Sequence, residues 1–589
     1  MKKGFTIFLI LLAYLSTNAQ KKNVEKAKDT VKTEVVIVVT KYNPEIADAK
    51  KIKKNPTIKL LKKSEKKKLE YTIYAAPVAS TFIPKSGSVK GIDVGIKERI
   101  YNNYIAAGFG NYTTPFFETY LQHSTRFENE FGFSAKYFSS LDNIKNTTLN
   151  SNYSNFNASV FYKQEDRYFD WKVSLNSERN KYNWYGLPET AFNKTTINAI
   201  NEEQTYNYFE LNGEFNFIDS YIDSSKLSIS YYTDAYKSTE ILANFDTRLD
   251  FPLSFIKNNL NNIAIKTGVE FLKGEFKNSY KDENPVKYSI ITAKVHPEYK
   301  LAYKDFTLKA GAKIFVSLDS ENDATNFFVF PNIIAQQPIV KKYLNIYGGF
   351  SGDLHTNTYK SFTEENPYVS PTLFITQTDE KSNFFIGFNG KITNDISYNL
   401  KVSAKSEEDK PLFLRNNSKS DGTTSNANSI PLKGYEYGNS FSVYYDDVKT
   451  NSLFAELEYE FTKSITFGTN FNYNDYTTTN ALEKWNLPAL EASFFGKYKK
   501  EKWYATTNIF YVSERKDGVY NAQFPSSFKG IETINSYIDV NLNGGYNFND
   551  KLAAFLKLNN ILNNDYQRFA NFTVQGFQVL GGITYKFDF

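Results

Sequence analysis

The chain has 589 residues, a formal net charge of +6, 17% aromatic residues and a mean hydropathy of −0.49. It contains no cysteine, a single methionine and three histidines, His123, His296 and His355, none at metal-ligand spacing, which excludes disulfides, thiolate nucleophiles and Cys- or His-rich metal and haem sites. Its 51 Phe and 44 Tyr stand among Asn, Ser, Thr, Lys and Glu, a mixture that suits strands with one face in lipid and one in water better than the Leu, Ile and Val cores of a soluble protein of this length.

The N-terminus reads as an export signal over residues 1–19. Lys2 and Lys3 supply the positive region, Phe5 to Leu15 the apolar region, and Thr17-Asn18-Ala19 a small-residue cleavage site, leaving Gln20 as the first mature residue. The apolar run is too short to span about 30 Å of hydrocarbon, and no later stretch reaches the length of a membrane helix.

Residues 20–98 read as a periplasmic segment of different character. Between residues 21 and 68 there are 16 Lys against 6 Asp and Glu, so this piece carries +10 in a chain that is +6 overall. Its densest part, Lys50 to Lys68, suits a helix, a solvated linker or an insert lying against an acidic barrel wall; nucleic acid is the wrong partner for an exported chain with so few aromatics interleaved. Within the segment, Glu34-Val35-Val36-Ile37-Val38-Val39-Thr40 is a β-branched heptad, suited either to join a partner's sheet as an extra strand or to begin a small periplasmic domain.

From about residue 99 the sequence alternates apolar and polar residues in segments of 10–16. Leu453, Ala455, Leu457, Tyr459 and Phe461 share one face of a strand, with Glu456, Glu458 and Glu460 on the other. The same rule holds from Ile538 to Phe548 and from Phe306 to Val316. These strands are about as long as the 9–11 residues that a tilted strand needs to cross a bilayer. Short turns fall near Glu128-Asn129, Asp166-Arg167, 219–225, 257–260, Lys304-Asp305, 340–342, 393–395, 462–464, Lys500-Glu501 and 549–551. With an unpaired strand at each end they predict an all-β, transmembrane antiparallel barrel over 99–589 with about 22 strands, within a range of 20 to 24, in which Tyr437 to Phe461 forms one bulged strand or two. Residues 184–203, 359–382, 411–437 and 516–535 read as long outer loops, with Lys419 to Ser429 the loosest.

The last strand sets Phe577, Val579, Ile583, Tyr585, Phe587 and Phe589 on one face. Alternate aromatics ending on Phe, here Tyr585, Phe587 and Phe589, resemble the C-terminal signal read by the barrel-assembly machinery. The heptad Glu34 to Thr40 resembles a TonB box, and the ending from Leu558 to Tyr566 followed by Phe577 to Phe589 resembles the closing strands of TonB-dependent outer-membrane receptors. That resemblance implies a receptor or transporter in the cell outer membrane whose box is engaged by a periplasmic TonB-type protein. The chain departs from the family in having only some 58 residues between Thr40 and the first strand, which implies a truncated or missing plug.

No catalytic constellation is legible. His296 and His355 lack a GxSxG or paired motif, and Gly108-Phe109-Gly110 lacks a GxGxxG context. The sequence therefore predicts no enzyme, no cofactor and no metal, with outer-membrane lipid as the solvent. Two functions stand: a receptor or transporter, and a non-transporting accessory barrel of an assembly, secretion or surface complex, partnered by a surface lipoprotein or another envelope subunit. Either way a barrel this wide needs its lumen filled.

Overall fold

The computed structural model describes residues 100–588, apart from 126–128, 189–190 and 253–259. The leader with its Ala19/Gln20 cleavage site, the heptad Glu34 to Thr40, the run Lys50 to Lys68, the turns at Glu128 and Lys257, and Phe589 lie outside the described residues. The chain divides at Ile92/Asp93, and the described residues all belong to the second unit.

Twenty-two strands form one antiparallel sheet in which each strand pairs with the next in sequence. The first, Asn103–Gly110, pairs with the last, Gln578–Phe587, so that Asn103 lies opposite Phe587 and Gly110 opposite Leu580. The sheet is thereby closed. An open edge in hydrocarbon would leave a row of N–H and C=O groups without partners, and closure removes it.

Alternation orients every strand. Leu453, Leu457 and Phe461 are 42%, 39% and 55% exposed on the outer face, and Glu456, Glu458 and Glu460 take the opposite, inner face. On the closing strand Ile583 and Tyr585 point outward, Tyr585 stacks on Phe587, and Leu580 is buried on the inside. Apolar side chains thus face outward toward lipid, as expected of a membrane barrel. Tyr437 to Phe461 resolves as one strand, Phe441–Thr462, of 22 residues. Where they are described, the expected turns are short connections on one edge of the barrel; 111–113, 235–238 and 320–323 on the opposite edge are equally short and were not expected.

The opposite edge differs from expectation. Strands Gln377–Lys391 and Ile396–Arg415 run several residues into stretches expected to be loop. The loops themselves contain two short helices, Lys194–Ala199 and Tyr359–Glu365, and two small hairpins, Arg515–Tyr520 with Phe528–Ile534 and Gln567–Phe569 with Phe572–Thr573. Lys419 to Ser429 is not loose: Ser418 and Ser420 flank its start fully buried, and Lys419 is ion-paired to Glu436 at 2.6 Å. Composition misled there because Ser and Asn bond their own backbone in tight turns as readily as they solvate a flexible one.

At the seam, Gly108 lies opposite Gly582. A Cβ on Gly582 would fall 2.3 Å from the Ala107 carbonyl oxygen and 2.3 Å from the Phe555 ring, whereas one on Gly581 meets nothing nearer than 3.9 Å. Gly582→Val should therefore prevent closure, because the clash is with backbone and overpacking of this kind costs about 1–3 kcal/mol or more. Gly581→Val, on the lipid face of the same strand, should fold normally. Heat-modifiable gel mobility of outer-membrane fractions reads both. Tyr585→Asp should also lower the folded fraction, because a carboxylate on the lipid face is destabilising in proportion to its depth.

Candidate functional site: the loop-built lid

The largest buried cluster lies at the loop-bearing edge. Tyr185, Phe192, Tyr206, Tyr232, Phe276, Tyr359, Phe362, Tyr437, Phe441 and Phe572 belong to it, drawn from loops and strand ends. Its centre is the helix Tyr359–Glu365. Thr358 caps that helix: its hydroxyl accepts from the Ser361 N–H at 3.0 Å, and Ser361 Oγ accepts from the Thr358 N–H at 3.1 Å. This is a capping box with Ser in place of the usual Glu.

The helix docks on the barrel wall through two buried carboxylates. Glu240 accepts from the Tyr359 N–H at 2.6 Å, the Lys360 N–H at 3.1 Å and the Tyr288 hydroxyl at 2.8 Å. Asp234 accepts from the Tyr359 hydroxyl at 2.8 Å. The Tyr206 hydroxyl donates to the Pro367 carbonyl at 2.9 Å, and the Tyr232 hydroxyl lies 2.5 Å from Thr363 Oγ1. Tyr359 is fully buried and meets the Phe276 ring edge-on at 4.9 Å. Lys360 reaches Glu178 at 2.8 Å and Glu364 at 2.6 Å. An anion at the first N–H groups of a helix satisfies donors that have no partner inside it.

Other loops lock onto this one. Trp184 Nε1 donates to the Tyr368 carbonyl at 3.1 Å, and Asn439 Nδ2 donates to the Trp184 carbonyl at 2.6 Å. The Tyr185 hydroxyl donates to the Thr573 carbonyl at 2.7 Å, and the Tyr368 and Phe572 rings stack at 3.8 Å. Thr196 Oγ1 donates to the Gly422 carbonyl at 3.1 Å, and Asn486 Nδ2 to the Phe413 carbonyl at 2.8 Å. Loop 184–202 follows the fifth strand, whereas 357–376, 416–440 and 560–577 follow the thirteenth, fifteenth and twenty-first. Contacts between strands ten apart in a ring of 22 cross the mouth, so the loops form a lid over it.

The lid holds charge as well. Asp517 accepts from the Arg415 N–H at 3.2 Å and the Gly518 N–H at 2.8 Å, and burial pushes its carboxyl up to about 6 against the Arg415 guanidinium. Arg415 pairs with Glu532 at 2.7 Å. Burial also raises the Glu365 carboxyl and the Tyr368 phenol above their ordinary values.

Of the residues marked by sequence, Glu456, Glu458 and Glu460 lie on the inner wall and Tyr585 and Phe587 on the closing strand, toward the short-turn ends of their strands and away from the lid. His355 Nε2 lies 3.2 Å from Glu380, and His296 packs edge-on against Phe315 at 4.9 Å. Among the described residues no group of three His, Asp or Glu gathers as a metal site. Sequence reading missed Asp234, Glu240, Tyr359 and Trp184. For the last two the signal was present as large aromatics, Trp184, Tyr185, Tyr359, Phe362, Tyr435 and Tyr437, inside loops that read as polar.

The described residues thus form a closed 22-stranded barrel whose long loops meet over one mouth. No protein-family model and no curated protein matches the chain. Solved structures match its fold. The ferripyoverdine receptor of the Pseudomonas aeruginosa outer membrane aligns over 83% of this chain and 72% of its own at 12% identity, with a TM-score of 0.59. The siderophore receptor PirA of Acinetobacter baumannii aligns over 82% and 80% at 12% identity and a TM-score of 0.58. The FrpB iron transporter of Neisseria meningitidis aligns over 83% and 82% at 10% identity and a TM-score of 0.61. At these identities the likeness is one of fold.

The Glu240 contact makes the lid testable. Glu240→Ala would leave two amide N–H groups and the Tyr288 hydroxyl without an acceptor, at a cost of about 1–3 kcal/mol. Tryptic cleavage after Lys360 should then rise about ten- to a hundredfold, while heat-modifiable mobility of the barrel stays unchanged.

Proposed function

We propose that this chain is a TonB-dependent receptor or transporter in the cell outer membrane, taking its cargo at the loop-bearing face. The 22-stranded barrel carries this reading, since its fold is shared with receptors and transporters of siderophores and iron in three bacteria. The chemistry agrees. Apolar residues face lipid, polar and charged ones line the interior, and the lid provides an aromatic and hydrogen-bonding surface that must part for cargo to pass. The heptad Glu34 to Thr40 is the segment that a periplasmic TonB-type protein would pair with.

In that mode backbone hydrogen bonds supply the affinity, so trimming a side chain matters little and removing an N–H matters greatly. Val38→Pro should abolish cargo-dependent growth without changing barrel abundance, and Val38→Ala should be nearly silent. Cysteines placed at positions 36–39 should form a disulfide with a cysteine in the periplasmic partner, in a background free of native Cys. A working proline variant without a crosslink would transfer support to the second reading.

That second reading, an accessory barrel in an envelope complex with a surface lipoprotein or other subunit, is favoured by one observation: a mouth spanned by its own interlocked loops suits a barrel that transports nothing. The two also differ on what fills the interior. In the receptor reading residues 41–98 would act as a reduced plug, its basic run Lys50 to Lys68 complementary in charge to Glu456, Glu458 and Glu460. Deleting residues 41–90 should then raise single-channel conductance in a planar bilayer and sensitise cells to large antibiotics. Unchanged conductance would assign the sealing to the lid.

A further inference from the structure

A cavity of about 340 Å³ opens in the wall where the barrel closes. It is lined from the last two strands by Lys557, Asn559 and Leu580, and from the second, third and fourth by Phe116, Lys136, Phe138 and Asn157. Alternation puts it inside the barrel. Phe117, Phe156 and Leu556, next in sequence to these residues, are 41%, 40% and 46% exposed on the outer face. In register, Phe116 lies opposite Phe138, Lys136 opposite Asn157, and Lys557 opposite Leu580.

The chemistry of this cavity is unbalanced. Lys557 Nζ lies 4.3 Å from the centre of the Phe116 ring and 5.5 Å from that of Phe555. Among the described residues neither Lys557 nor Lys136 has a carboxylate within ion-pair distance. The neighbouring acid, Glu118, stands directly across the ladder from Lys136 and accepts from the Tyr104 hydroxyl at 2.6 Å, so one carboxylate beside two ammonium groups leaves a net charge of +1. Two ammonium groups thus face one small space, over a floor made by Phe116, Phe138 and Leu580. Like charges held together over apolar surface are unfavourable alone and become favourable when an anion bridges them. A volume near 340 Å³ is that of a small-molecule site, in which apolar lining supplies contact and a few polar groups fix orientation.

We propose that this cavity binds a small organic oxyanion, a carboxylate or phosphate carried on an aromatic or apolar body. Lys557 and Lys136 hold the charged head, the Asn157 amide donates to it, and Phe116, Phe138 and Leu580 cover the body. The site does not depend on the receptor reading, because binding here needs no periplasmic partner.

The test is calorimetric titration of the full-length protein in detergent micelles with phenyl phosphate, benzoate and inorganic phosphate. Phenyl phosphate or benzoate should bind saturably, and more tightly than inorganic phosphate. Lys557→Met and Lys136→Met should each weaken binding about tenfold or more, the loss of one charge-assisted contact, and Lys136→Arg should restore it. Heat-modifiable mobility verifies folding. If Lys557→Met does not fold, Lys136→Met, on the lumen-exposed lysine, decides alone. No saturable binding of either aryl anion, inorganic phosphate binding as tightly as phenyl phosphate, or both methionine variants binding like wild type would each overturn the proposal.

Discussion

A peptide group in hydrocarbon has no water to bond, and that constraint governs this molecule from end to end. It makes every strand pair on both sides, makes the first strand find the last across more than 450 residues of chain, and admits no edge. Alternation follows from it, because a strand paired on both edges has only its two faces left for lipid and lumen. So does the seam. Gly108 and Gly582 lie where two backbones and the Phe555 ring converge, and the absence of a Cβ there is what lets the ladder finish.

Beyond the membrane the dominant forces change. The long loops meet water, and their backbone could be solvated, yet they bury Trp184, Tyr359, Tyr435 and Tyr437 almost completely. Here stability comes from aromatic burial and from side chains that satisfy carbonyls on distant loops. Glu240 and Asp234 tie this second core to the first, because they stand at strand ends and accept from the lid helix. The molecule is a barrel held by ladder hydrogen bonds, with a small globular core assembled on its rim.

That division explains what the sequence revealed. Strand number, turn positions and the facing of residues such as Leu457 and Glu458 were legible, because a period of two is imposed on each strand by its two solvents and needs no knowledge of its neighbours. The lid was not legible. Nothing local to Tyr359 names Asp234, and nothing in the Ser- and Asn-rich stretch from Lys419 says that it will be pinned by Glu436 and Thr196. The cavity at the seam was hidden for the same reason. Lys557 and Lys136 are ordinary alternating residues until closure places the end of the chain beside its beginning.

The order in which these parts can form follows from the loop bonds. Tyr185 reaches Thr573, 388 residues away, and Trp184 reaches Tyr368, 184 residues away. Strands joined on the turn edge meet through short connections, so each hairpin can form at small entropic expense. The lid contacts join segments that stay far apart until the ring exists. Their partners become near neighbours only once the ring has shut, and from then on forming them is a local event. The lid is thus the late layer of folding, and an assembling barrel passes through a stage in which its walls are complete and its mouth stands open.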